Sequence, residues 1–319
     1  MTAISSAGSV DSPGGPGAAR RSLEGLAMGD AFGERWFSRF REPEEAREQI
    51  RRRRTPDEPR WRWTDDTALA LAVHRVLVER GTIDQDRLAA CFGLAYDAHS
   101  GRGYGYGMHV LLPALLAEPA SWRTLAPGLF DGGSLGNGAA MRVAPLGAWF
   151  ADDLPRAAEQ AALSAEVTHA HPQGVAGAVA VAVAAALSAR GELTLDAVAA
   201  ATPRGAVRDG LERACETPFT TEPARAADTL GNGSRIRADD TVPFAVWTAA
   251  RHHDDLAGAL WATAEALGDV DTTCAITGGI VGARTGISAT PADWRRRREP
   301  LTPAGPAEPA GSAERDGSR

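Results

Sequence analysis

Lysine is missing from all 319 residues. A Walker-type phosphate loop, a Schiff-base enzyme and a pyridoxal-phosphate enzyme each need an amine, so all three are excluded. The 34 positive side chains are therefore all arginine, which fits a coding bias, and 41 acidic residues leave a net charge of −7. That balance argues against a partner with a phosphate backbone, which needs a basic field. Asparagine is almost as scarce: Asn137 and Asn232 are the two in the chain, and both sit in the tripeptide Gly-Asn-Gly. Aromatics make up only 6%. Period-2 runs of β-branched and aromatic residues hardly occur, so sheets are disfavoured and Ala-rich, closely packed helices are expected. Cys91, Cys215 and Cys274 are odd in number and far apart. They form neither a zinc pattern nor a disulfide framework, which fits a reducing compartment. The longest apolar run, Gly174–Leu187, falls short of the ~20 residues a bilayer requires and reads as a buried helix. Met1–Ala19 has no apolar core and is not a signal peptide. A cytoplasmic protein, without membrane or nucleic-acid partners and monomeric, is the expectation.

Residues 1–19 and 301–319 are rich in Gly, Ser, Pro and Ala and read as disordered tails. Residues 20–300 are compositionally even and read as one domain. Helix formers with apolar periodicity fill Thr67–Arg80, Gln85–Ala98, Leu154–Glu166, Val175–Arg190, Asp255–Ala266 and Thr272–Gly286. The fold class expected is all-α, a single compact helical bundle. The basic stretch Arg51–Arg54 follows Glu42, Glu44, Glu45 and Glu48, so it reads as a solvated helix with paired charges rather than an anion site.

Two acidic clusters carry chemistry. Trp63-Thr64-Asp65-Asp66-Thr67 stands directly before an apolar helix. A helix cap explains one Asp, but two adjacent carboxylates repel unless a cation lies between them. Mg²⁺ takes oxygen ligands, and two carboxylates with a Thr hydroxyl supply three. Gly268-Asp269-Val270-Asp271-Thr272-Thr273 repeats that inventory. On a helix, Asp269 and Asp271 would point to opposite sides, so they are expected on the loop that enters it. Together the clusters suffice for a two-metal centre. The helix after the second cluster carries Gly278, Gly279 and Gly282; each glycine costs a helix about 1 kcal/mol, so another backbone or a ligand comes close. Asp239-Asp240-Thr241 also precedes a helix, Phe244–Arg251, with Pro243 near its first turn, and reads as a cap and dipole partner.

The segment Asp131–Arg142 holds Gly132, Gly133, Ser134, Gly136, Asn137 and Gly138 before Met141. Such loops expose backbone N–H groups and form anion nests, a route to diphosphate binding that needs no lysine. Ser100–Gly107 offers Tyr104 and Tyr106 for stacking, and Gly231-Asn232-Gly233 is a third loop. His169 and His171, in Thr-His-Ala-His-Pro, lack further soft ligands for zinc and suit hydrogen bonding to a ligand instead.

In this order, Gly25-Leu-Ala-Met-Gly-Asp-Ala-Phe-Gly33, Trp63–Thr67, Gly133–Arg142, Thr168–Pro172 and Gly268–Thr273 resemble the ADP-ribosylglycohydrolases over about Leu23 to Ile287. The resemblance implies an all-α fold with a binuclear Mg²⁺ centre (Mn²⁺ in some members) on Thr64, Asp65, Asp66, Asp269, Asp271 and Thr272. It implies ADP-ribose contacts from Gly133, Ser134, Gly136 and Asn137, with His169, Gly231, Asn232 and Gly233, to which Gly138, Met141 and the stacking candidate Tyr104 are added as ADP-ribose-binding residues. The implied reaction hydrolyses the bond joining ADP-ribose to a modified side chain of a protein substrate, arginine foremost. One departure stands out: many relatives carry an acid where this chain has Phe37, and the nearest acid is Glu34. The catalytic role then falls to Glu34 or to Asp65 and Asp66, and a relative that binds ADP-ribose without turnover is the alternative.

Overall fold

The computed structural model describes residues 12–37 and 42–301. Among them the chain runs through α1 (Pro16–Gly33), α2 (Pro43–Arg51), α3 (Asp65–Arg80), α4 (Gln85–Ala98), α5 (Met108–Ala117), α6 (Trp122–Gly128), α7 (Ala144–Trp149) and α8 (Leu154–Glu166). It continues through α9 (Pro172–Arg190), α10 (Leu195–Ala201), α11 (Ala206–Glu216), α12 (Pro223–Leu230), α13 (Ala238–Arg251), α14 (Leu256–Ala264), α15 (Val270–Thr285) and α16 (Ala292–Arg297). No strand forms among the described residues; two isolated bridges pair Trp61 with Arg298 and Gly136 with Arg237. The all-α expectation holds, and α4 and α8 have the bounds read from the sequence.

Other boundaries differ: α3 starts at Asp65, α14 spans Leu256–Ala264 and α15 Val270–Thr285, and three further differences bear on the packing. Helix α1 begins at Pro16, inside the segment expected to be a tail, and Ala18 and Ala19 are buried. Proline at the first helical position is a start signal, because its fixed φ suits the first turn and its missing N–H has no partner there anyway. Helix α13 begins at Ala238, so Pro243 lies inside it, packed against Gly210 of α11, and not near its first turn. Helix α9 extends to 19 residues and is by length and composition apolar enough to cross a membrane, yet most of it is enclosed by other helices. Residues 1–11 and 302–319, which make up most of the two expected tails, lie outside the described residues.

The centre of the molecule is the contact between α1 and α15. Gly25, Gly29 and Gly33, spaced by four, form a side-chain-free stripe that faces α15. A Cβ on Gly25 would stand 2.8 Å from the Gly282 Cα and collide with the Gly278 carbonyl; on Gly29 it would collide with the Cys274 carbonyl, and on Gly33 with that of Val270. Of the glycines expected to admit a backbone or a ligand, Gly278 and Gly282 admit the α1 backbone, and Gly279 packs against the Ala144 Cβ. This close approach brings Asp30 of α1 beside the start of α15.

Next to that contact the few aromatics are concentrated. Phe32 packs on Trp36, Trp61, Trp261 and Trp294 at centroid separations of 4.7 to 6.0 Å. The segment after α16 returns to close this corner: Trp61 N donates to Arg297 O at 2.8 Å and Glu299 N to Trp61 O at 2.9 Å. Buried Arg102 ties the same corner together. It donates to the Trp63 carbonyl at 2.7 Å and to both Glu299 oxygens, with its guanidinium 3.5 Å over the Trp63 ring. The loop leading into Asp65 is thus fixed from both sides.

Candidate active site

Helix α3 is capped by a residue from another helix. Thr64 occupies its N-cap position but makes no side-chain cap. Asp30 of α1 takes that part: its carboxylate accepts from Thr64 N at 2.9 and 3.0 Å, Thr64 Oγ1 at 3.0 Å, Thr67 N at 3.1 Å and Thr67 Oγ1 at 2.5 Å. A carboxylate at this helix end answers both the orphan N–H groups and the dipole. Asp65 and Asp66 are consequently free of capping duty. Asp65 is oriented through its backbone, its N–H donating to Arg102 O at 2.9 Å.

Carboxylate oxygens of Asp30, Asp66 and Asp271 lie within 4.8 Å of one another, all buried. The sequence singled out Asp66 and Asp271 and missed Asp30, although a charged residue amid the apolar, glycine-striped Leu26–Gly33 was a signal. Asp65, Asp269 and Glu34 border this group. Glu34, on the 3₁₀ turn Glu34–Trp36 that continues α1, is buried, and its charge acts on both Asp65 and Asp271. Phe37, three residues on, packs against the core and lines a cleft of about 430 Å³ that reaches Asp269.

Burial and mutual repulsion set the electrostatics. Burial, partly offset by its hydrogen bonds, raises the Asp30 carboxyl to about 6. Burial followed by the charge of Asp30 pushes Asp65 up to about 8. Burial first, then neighbouring carboxylates, lifts Asp66 and Asp271 well above the ordinary range. Tyr104 is raised by burial and by the charge of Asp65, which puts its phenol on this side of the site.

The donor inventory fits a divalent cation. Asp66 Oδ1 is buried with no hydrogen-bond partner. Thr64 Oγ1 stands 3.0 Å from oxygens of both Asp30 and Asp66, and its single proton serves one of them. Asp271 Oδ1 accepts from the Thr272 N–H at 2.8 Å. Clustered carboxylates are the hard oxygen ligands that Mg²⁺ prefers. Asp30, engaged by four donor groups of Thr64 and Thr67, is suited to holding α3 rather than to ligating.

The second acidic segment lies at the start of α15, not wholly on the loop before it. Asp269 is the N-cap residue, whereas Asp271 lies in the first turn. Both scarce asparagines converge here. Asn137 Nδ2 donates to Asp269 Oδ2 at 2.6 Å and to Thr241 Oγ1 at 3.0 Å. The Asn232 carbonyl accepts from Asp269 N at 3.1 Å, while its side chain bonds Ala266 O and Ser234 N. Gly233, at φ 83, lies so close that a Cβ would be 2.6 Å from the Asp269 Cβ. Of the residues expected to touch ADP-ribose, Asn137, Asn232 and Gly233 also buttress the carboxylate loop, while Gly231 packs against the Asp240 backbone.

The glycine loop lies across the histidine segment. Gly133, at φ 93, would place a Cβ 2.5 Å from His171 N, and Gly174 would place one 2.6 Å from Ser134 O. Two of its N–H groups are internally used: Gly136 N donates to Ser134 Oγ and Asn137 N to Ile236 O. The expected anion nest is correspondingly reduced to the rest of the loop. A Cβ on Gly138 would stand 2.8 Å from His169 Nε2. Met141 is buried, and Tyr106 is 83% exposed.

A helical fold with a buried carboxylate cluster beside a glycine loop is the class that fold and site define. Comparison with known proteins narrows it. The ADP-ribosylglycohydrolase profile matches residues 17–308, and the chain belongs to that family. It is 28% identical to ADP-ribosylhydrolase ARH3 of Homo sapiens over 275 residues, 74% of either chain. It is 25% identical to ADP-ribosylarginine hydrolase Tri1 of Pseudomonas putida (strain GB-1) over 290 residues, 86% of this chain and 72% of that one. A solved structure titled "ADP-ribosylglycohydrolase-related protein complex" superposes at a TM-score of 0.64 with 25% identity, covering 89% of this chain and 93% of its own.

Proposed function

We propose that the protein hydrolyses the glycosidic bond between ADP-ribose and a modified protein side chain, arginine foremost, and depends on two Mg²⁺ ions, with Mn²⁺ able to replace them. The observation that carries this reading is the buried, unpartnered Asp66 Oδ1 within 4.8 Å of carboxylate oxygens of Asp30 and Asp271. Family membership and the activities named for ARH3 and Tri1 support the reaction class.

Thr64, Asp65, Asp66, Asp269, Asp271 and Thr272 would hold the ions. Bound there, divalent cations supply Lewis-acid stabilisation of charge on oxygen. Asp30 holds Thr64 and the start of α3 in register, and Asn137 and Asn232 do the same for Asp269. His169, Ser134 and the loop from Gly133 to Gly138 receive ADP-ribose, with Tyr104 at its acidic end. In the reaction the anomeric carbon–nitrogen bond breaks, the oxygen of water bonds to the anomeric carbon, and a proton passes to the leaving guanidine. Glu34, buried at the edge of the carboxylate group, carries that proton. An acidic site also suits a cationic leaving group.

Phe37, standing where relatives carry an acid, favours a second reading in which ADP-ribose binds without turnover. Release of free ADP-ribose from an arginine-ADP-ribosylated protein, with Mg²⁺ and with excess chelator, separates the two. Metal-dependent release supports hydrolysis. Binding without release supports the second reading, and absence of both removes the proposal.

A further inference from the structure

His169 is held by a donor chain that starts in the protein core. Arg142, fully buried, lies 4.2 Å over the Phe92 ring and directs Nη2 to Ser164 O at 3.0 Å and to Thr168 Oγ1 at 2.8 Å. Thr168 Oγ1 in turn lies 2.7 Å from His169 Nδ1. Arginine donates and never accepts, so Thr168 Oγ1 is the acceptor in the first of these bonds. Thr168 is itself inaccessible to water, and His169 Nδ1 is the acceptor within reach of its proton. A buried hydroxyl left without an acceptor is costly, so the proton goes to Nδ1, which must then be bare. A neutral imidazole with a bare Nδ1 carries its proton on Nε2.

Nε2 faces the glycine loop. A Cβ on Gly138 would be 2.8 Å from it and one on Gly136 3.4 Å, and it makes no hydrogen bond among the described residues. We propose that Arg142 and Thr168 are positioning residues that fix His169 as the Nε2–H tautomer, so that it offers a permanent hydrogen-bond donor to an anionic oxygen of the ligand at Gly136–Gly138. The identity of that ligand rests on the function proposed above; the tautomer does not. Burial, followed by the charge of Arg142, lowers the imidazole pKa to about 3, in keeping with a donor that stays neutral. His169 then orients substrate and takes no part in proton transfer.

Long-range ¹H–¹⁵N correlation spectra of the full chain, ¹⁵N-labelled at histidine and free of ligand, test the tautomer. The expected pattern for His169 is Nε2–H and is unchanged from about pH 5 to about pH 8. An Nδ1–H pattern, a mixture, or titration in that range overturns the proposal. Thr168→Val keeps the side-chain shape and removes the hydroxyl. With its fold verified by circular dichroism, it is expected to show mixed tautomers and to bind ADP-ribose about ten-fold more weakly, with KM raised more than kcat is lowered. Thr168→Ser is expected to restore both the spectrum and the affinity. Native affinity in Thr168→Val overturns the ligand contact even if the tautomer is confirmed. A wild-type protein that binds no ADP-ribose overturns that contact together with the proposed function, and leaves the spectrum to decide the tautomer.

Discussion

The triplet Asp-Asp-Thr opens two helices of this protein, with opposite results. At α13, Asp239 and Asp240 lie in the first turn. Arg237 grips Asp239 at 2.9 and 3.1 Å, and Arg235 binds Asp240 through both its backbone and its side chain. Each carboxylate has a cation, and the helix start is complete. At α3, Asp65 and Asp66 likewise lie in the first turn, one position nearer the helix end, but the cap comes from Asp30, a further carboxylate, and Asp271 closes in from α15. No arginine enters. The same residues thus make a finished helix start in one place and an electrostatic demand for a divalent ion in the other. What separates them is the neighbourhood, two arginines against two further acids, and not the triplet.

The largest effect is expected from Asp66→Asn. Removing the carboxylate whose Oδ1 is unpartnered should lower metal-dependent ADP-ribose release by about a thousand-fold, since metal stabilisation of transition-state charge amounts to several kcal/mol. The fold should survive, as followed by circular dichroism, because a repulsive charge has been deleted. Asp30→Ala attacks the scaffold instead. It strips the buried N–H and hydroxyl groups of Thr64 and Thr67 of their acceptor and removes the α3 cap, so urea unfolding should show a loss of about 3 kcal/mol or more.

A smaller, pH-dependent difference separates the two helix starts when metal is removed. Asp30 and Asp65 titrate near 6 and 8 in the fold, against 3.8 for an ordinary Asp. The native state therefore binds more protons than the unfolded chain between about pH 4 and pH 8, and stability falls as pH rises through that window. Thermal melts in chelator should show a midpoint that declines over this range, and Mg²⁺ should flatten the decline. The smallest effect is expected at the other triplet. Asp240→Asn breaks a pair whose arginine is 61% exposed and should cost about 1 kcal/mol by urea unfolding, with Mg²⁺ affinity unchanged. A matching loss of metal affinity would erase the distinction between the helices.

The helical class was legible because Ala-rich, lysine-free segments such as Gln85–Ala98 and Leu154–Glu166 carry their apolar periodicity and their Asp caps, Asp84 and Asp153, locally. The start of α1 was not, since Pro16 and its small neighbours look like a tail until their burial is known. The acidic clusters were legible from like charges placed side by side. Asp30 was missed because its task, capping a helix from 34 residues away, exists only once α1 and α3 meet. The two asparagines have a structural use that the sequence did not show. Their scarcity marked a constraint, while only tertiary packing shows that Asn137 and Asn232 hold Asp269 from side chain and backbone respectively.

Calorimetric titration of Mg²⁺ into the wild type, Asp66→Asn and Asp240→Asn near neutral pH tests the central claim most directly. The expected result is saturable binding with proton release in the wild type and in Asp240→Asn, and loss of that binding in Asp66→Asn. Equal binding in all three proteins, or none in the wild type, would contradict the assignment of the carboxylates at the starts of α3 and α15 as a metal centre.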